Sequence, residues 1–107
     1  MDKYFEIEAR IKLYKADKGR KSFISSGYRP HIYFGFSDPT NAVFSSDCII
    51  QLIDVNTLNP GETGIVRILV FRYSHLRELF VKDVKLKIKE GVRFIGEGSI
   101  TSVNGEK

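Results

Sequence analysis

The chain has 107 residues and carries 17 Lys+Arg against 13 Asp+Glu, for a formal charge of +4 and room for one hydrophobic core, read as one domain over 1–107. Hydrophobic content of 42% and charged content of 28% are globular values and exclude intrinsic disorder. No run free of Asp, Glu, Lys and Arg exceeds eight residues, so no membrane helix of about 18 apolar residues can be built.

Tyr4 to Tyr14 opens the chain with strict alternation. Phe5, Ile7, Ala9, Ile11 and Leu13 share one face and Glu6, Glu8, Arg10 and Lys12 the other, the period of a half-buried strand. A charged loop with Gly19 follows. The second predicted strand is His31–Phe36, with Ile32, Phe34 and Phe36 inward and His31 and Tyr33 outward. Pro30 suits its start because proline cannot donate to a ladder. Asp38-Pro39-Thr40-Asn41 closes it as a turn. Cys48–Ile53 is the third strand, ended at Asn59-Pro60-Gly61-Glu62. The fourth, Ile65–Tyr73, is apolar on both faces and expected to be well covered. One helical turn fits His75–Phe80. Lys85, Lys87 and Lys89 alternate with Val84, Leu86 and Ile88 in a fifth strand, and Phe94–Val103 forms the sixth. Gly96 and Gly98 share the Phe94/Ile100 face, where small barrels need bends or close backbone approach. Six strands with almost no helix predict an all-β antiparallel barrel or sandwich.

Catalytic motifs are missing. No phosphate-cradling Gly-rich loop exists, and Gly96-Glu97-Gly98 lacks the third glycine of a dinucleotide site. Two histidines, His31 and His75, have no metal-ligand spacing. Cys48 is the sole cysteine, so neither an intrachain disulfide nor a Cys-based zinc site is possible; it reads as a buried, inert thiol. Ser25-Ser26 and Ser45-Ser46 read as turn residues, and Glu6 with Glu8 as part of a solvated face. No catalytic residue, metal or cofactor is expected. The charged N-terminus lacks the apolar segment of a signal peptide, and the setting expected is cytoplasmic.

The basic residues are better organised. Lys85, Lys87 and Lys89 share one strand face at intervals of about 6.6–6.8 Å, with Arg93 just across the turn. That row suits tracking of a phosphate backbone; periodicity alone favours a solvated face that blunts an exposed strand edge.

Three blocks resemble the C-terminal β-barrel, domain III, of elongation factor Tu. Gly27-Tyr28-Arg29-Pro30-His31-Ile32-Tyr33-Phe34 is similar to the family's Tyr-Arg-Pro-Gln-Phe-Tyr-Phe, and Pro60-Gly61-Glu62 to its Pro-Gly-Asp. Lys89-Glu90-Gly91-Val92-Arg93-Phe94-Ile95-Gly96-Glu97-Gly98 is close to its Arg-Glu-Gly-Gly-Arg-Thr-Val-Gly-Ala-Gly. Asp17-Lys18-Gly19-Arg20 looks like its acidic Gly-Gly-Arg turn. The resemblance covers about Tyr4 to Val103 and implies a closed six-stranded antiparallel barrel, free-standing, without the GTPase domain, the middle barrel or any nucleotide-binding motif. Residues 41–59 and 74–87 look longer than in the family.

In that family the barrel touches the T-stem of aminoacyl-tRNA, packs on the GTPase domain and meets the exchange factor. Glu90 and Gly91 match its Glu-Gly at the T-stem, Thr40 aligns with a threonine contact, His31 replaces a glutamine contact, and Arg72 falls near a contacting lysine. Tight-turn chemistry alone also explains Glu90-Gly91. Two functions follow as expectations. The first is a non-catalytic module docking a protein partner, such as a translation GTPase, its exchange factor or a toxin-type protein. The second is an RNA-binding module for tRNA-like stems. The residues expected to serve either are His31, Thr40, Arg72, Lys85, Lys87, Lys89, Glu90, Gly91 and Arg93.

Overall fold

A computed structural model describes residues 3–35 and 45–107. Strands β1 (Phe5–Leu13), β3 (His31–Phe34), β4 (Ser45–Leu52), β6 (Thr63–Val70), β7 (Lys85–Glu90) and β8 (Arg93–Glu106) close into an antiparallel barrel in the order β1-β6-β4-β3-β7-β8. Two short strands, β2 (Ile24–Ser25) and β5 (Thr57–Leu58), pair separately.

Alternation drives the closure. Ile7, Ala9, Ile11 and Leu13 of β1 are fully buried, and β6 buries Val66, Ile68 and Val70 while Ile65, Arg67 and Leu69 stay half-covered on the outside. Each strand therefore gives one row to the core and one to the wall. The two ends are plugged differently. A 3-10 helix, Ser74–Leu79, and the following Phe80 close one end. Phe80 stacks on Phe5 at 4.5 Å between ring centroids and meets Phe34 edge-on at 5.4 Å. Ile24 of β2 and Leu58 of β5 are buried outside the barrel strands themselves. The stretches that look longer than in the resembled family thus carry the helical plug and β5.

Several expectations need correction. The Ser45-Ser46 pair is not a loop: β4 begins there, three residues before Cys48, and both serines are buried. Their hydroxyls are satisfied locally, that of Ser46 donating to the Phe71 carbonyl, so polarity does not keep them at the surface. Phe94 does not share a face with Gly96 and Gly98. Lys89 pairs with Phe94 and Ile88 with Gly96, so Ile95 is an unopposed bulge residue whose side chain is 1% exposed in the core. The bulge reverses the phase of β8 and turns Phe94 to the outer wall. The lysines of β7 protect no edge either, because β7 has β3 on one side and β8 on the other. Phe36, expected to extend the second strand, lies outside the described residues.

The glycine expectation holds at Gly98. A Cβ there would collide with the Arg10 carbonyl oxygen and stand 3.0 Å from the Ile11 Cα. β1 and β8 approach too closely at that point for any side chain.

Among the described residues no helix is long and apolar enough to cross a membrane, and no group of three His, Cys, Asp or Glu is arranged to hold a metal ion.

Candidate functional site: the basic outer wall

The register sorts the outward side chains into cross-strand rows. Arg10 of β1 pairs with Ser99 of β8, which pairs with Lys85 of β7. One step along, Lys12 pairs with Glu97, Glu97 with Lys87, and Lys87 with Tyr33 of β3. Beyond the bulge, Phe94 pairs with Lys89 and Lys89 with His31. Five cations from two strands therefore stand on one wall, in two parallel rows separated by β8.

The lysine row rests on aromatic rings. The Lys89 ammonium lies 5.5 Å from the centroids of both Tyr33 and Phe94, and that of Lys87 lies 5.7 Å from Phe94. Tyr33 and Phe94 meet edge-on at 5.6 Å. Tyr33 faces outward as expected, yet it is only 8% exposed because this cluster covers it. Each contact is worth roughly 0.5–1 kcal/mol, enough to bias where the ammonium sits without neutralising its charge. The covered rings are poorly placed to stack nucleobases, which need an open face.

A groove of about 320 Å³ is lined by Arg10, Lys12, Lys85, Glu97, Gly98 and Ser99. Glu97 is fixed by the Tyr14 hydroxyl, which donates to its Oε1 at 2.9 Å. Burial, then that bond and the carboxylate's charge, push the Tyr14 phenol up to about 12, so it remains a donor through the neutral range.

The remaining expected residues fall in other places. Glu90, Gly91 and Arg93 form the β7–β8 hairpin tip, continuous with the lysine row. Glu90 accepts from both Arg20 and the Tyr28 hydroxyl, Arg20 lies over the Tyr28 ring at 5.1 Å, and Arg93 donates to the Gly19 carbonyl at 3.0 Å. Burial and Glu90 hold the Tyr28 phenol well above its ordinary range. Gly91 has φ +60° and the following Val92 has no positive φ, the pattern of a type II′ turn with glycine first. The tip is thus a fastening point that ties the 14–23 loop to the barrel.

His31 sits between two partners, with Nδ1 2.9 Å from Asp47 Oδ1 and Nε2 2.8 Å from Ser45 Oγ. The order Ser–His–Asp is that of a charge-relay chain, but Ser45 is only 5% exposed, and a nucleophile must reach its substrate. The arrangement pins β3 to β4. Arg72, at φ 52°, lines a separate groove with Lys3, Arg29, Asp47 and Phe71. Thr40 lies outside the described residues.

Cys48 is buried, and burial, with Asp47 second, pushes its thiol well up; a protonated core thiol is a poor nucleophile. Glu6 and Glu8 are bridged by the Asn104 amide at 2.7 and 3.2 Å, an arrangement that fixes β1 to β8.

Sequence reasoning missed Arg10, Lys12, Glu97, Ser99 and the outward Phe94. The alternation of β1 does aim Arg10 and Lys12 outward, but which strand lies beside them is a property of the closed barrel. No protein-family model matches the chain.

Proposed function

We propose that this chain is a non-catalytic binding module and that its β1–β8–β7 wall binds structured RNA. The observation that carries the reading is the pair of cation rows, Arg10 and Lys12 on one side of β8 and Lys85, Lys87 and Lys89 on the other. Successive lysines at about 6.6–6.8 Å suit successive phosphates of one strand. The covered rings of Tyr33 and Phe94 favour backbone contact over base stacking, and hence a duplex stem over a splayed single strand. The sequence resemblance of Gly27–Phe34 and Lys89–Gly98 to domain III of elongation factor Tu supports a translation-related stem as the natural target class.

Docking to a protein partner, the other function expected from the sequence, has a separate observation in its favour. Phe23, Ile53 and Val55 are 51%, 46% and 42% exposed on the segments that flank β2 and β5. Exposed apolar side chains around a short sheet suit a protein interface.

A tagged pull-down from native lysate, split into RNase-treated and untreated halves, separates the two. The RNA reading predicts an eluate enriched in structured RNA that RNase removes. Protein partners that persist after RNase, with no RNA enriched in the untreated half, would contradict it and favour docking.

A further inference from the structure

A surface built only to track phosphates has no use for a carboxylate in its middle. Glu97 stands between Lys12 and Lys87 in the register, and its charge opposes any polyanion lying across the rows. It is nonetheless held in place by Tyr14 at 2.9 Å. Beside it, Ser99 stands between Arg10 and Lys85, and strand alternation brings Glu97 and Ser99 to one outer groove. The two cation rows are separated by two strand spacings, roughly 10 Å. The ligand that fits has anionic groups along both sides and hydrogen-bond donors along the middle. The shallow groove of an A-form RNA duplex has this chemistry, with phosphates at its margins and 2′-hydroxyls exposed between them. A DNA duplex has the phosphates without the hydroxyls.

We propose that Glu97 and Ser99 form a 2′-hydroxyl-reading site that makes this wall selective for duplex RNA over DNA of the same sequence; this rests on the RNA reading above. The carboxylate accepts only, so it rewards a hydroxyl donor and repels a bare phosphate. Ser99, which donates and accepts, takes either a hydroxyl or a phosphate oxygen. Tyr14 acts as a positioning residue for Glu97.

The test is a fluorescence-anisotropy titration with three labelled duplexes: RNA, DNA of the same sequence, and RNA carrying 2′-O-methyl groups, which keeps the RNA backbone and removes the donors. The native chain is expected to favour RNA over DNA by roughly tenfold, about the worth of one charge-assisted hydrogen bond, and to lose that preference on the methylated duplex. Glu97→Gln should collapse the RNA:DNA ratio while DNA affinity holds or rises, because a repelling charge is gone. Ser99→Ala should weaken RNA binding more than DNA binding, because on DNA it can lose only a contact to a phosphate oxygen. If Glu97→Gln raises both affinities by the same factor, or the native chain binds RNA and DNA equally, the proposal is overturned while the basic wall stands. If the native chain binds none of the duplexes, the RNA reading itself fails and the proposal falls with it. Glu97 is exposed, and the unfolding transition of each variant checks that the barrel is intact.

Discussion

Gly98 shows how a single missing Cβ shapes the wall. Any side chain there meets the Arg10 carbonyl, so Gly98→Ala must push β1 from β8 and should cost roughly 1–3 kcal/mol of stability, as overpacking does. A denaturant melt unchanged from native would contradict the close approach. Gly91 behaves differently: nothing lies within 4 Å of a Cβ there, and only its φ of +60° is demanding. Tyr14 contributes a pH dependence. Its folded pKa of about 12 exceeds the ordinary 10.0, so folding favours the neutral phenol. That contribution is complete below pH 10 and is lost as pH rises from 10 through about 12. Tyr28, also raised, acts with the same sign. The melting temperature should therefore fall across that window, less steeply in Tyr14→Phe. A slope identical in the two proteins would count against the Tyr14–Glu97 bond.

At the scale of elements, the helical plug is more than a connection between β6 and β7. Phe80 fills the barrel mouth against Phe5 and Phe34, and Phe80→Ala should cost about 3–5 kcal/mol, as for a buried aromatic. Urea melts give the value; a loss below about 1 kcal/mol would mean that the plug can collapse over the cavity. The β7–β8 hairpin makes a complementary case. Its tip holds three of the residues expected to contact a partner, but Glu90 is committed to Arg20 and Tyr28 and Arg93 to the Gly19 carbonyl. Two blocks that resemble one family separately, Asp17–Arg20 and Lys89–Gly98, prove to be fastened to each other.

For the whole molecule, strands with clean alternation were legible. Phe5–Leu13 and Lys85–Glu90 announce themselves because one face is apolar and the other charged. Their number left a barrel or a sandwich open, and the closed barrel was the expectation implied by the family resemblance. Three things were not legible, each for a physical reason. β2 and β5 have two residues apiece, too few for any period to register. The start of β4 is written in serines, which read as turn residues until their buried partners are known. The bulge at Ile95 reverses strand phase without a marker in composition, which hid Phe94 on the lysine face. Of the wall, the Lys85-Lys87-Lys89 row was visible and its partner row was not, since the Arg10–Ser99–Lys85 adjacency joins residues far apart in the chain.

On the proposed reading, the two cation rows bind a nucleic-acid backbone. The most direct measurement is the affinity for an RNA duplex as a function of salt, for the native chain and for the triple variant Lys85→Glu, Lys87→Glu, Lys89→Glu. With up to five phosphate contacts the native chain should lose affinity with a log–log slope as steep as about −4.5, near −0.9 per contact. The triple variant, its unfolding transition checked against native, should bind too weakly to measure. Equal affinity and equal slope in the two folded proteins would contradict the account.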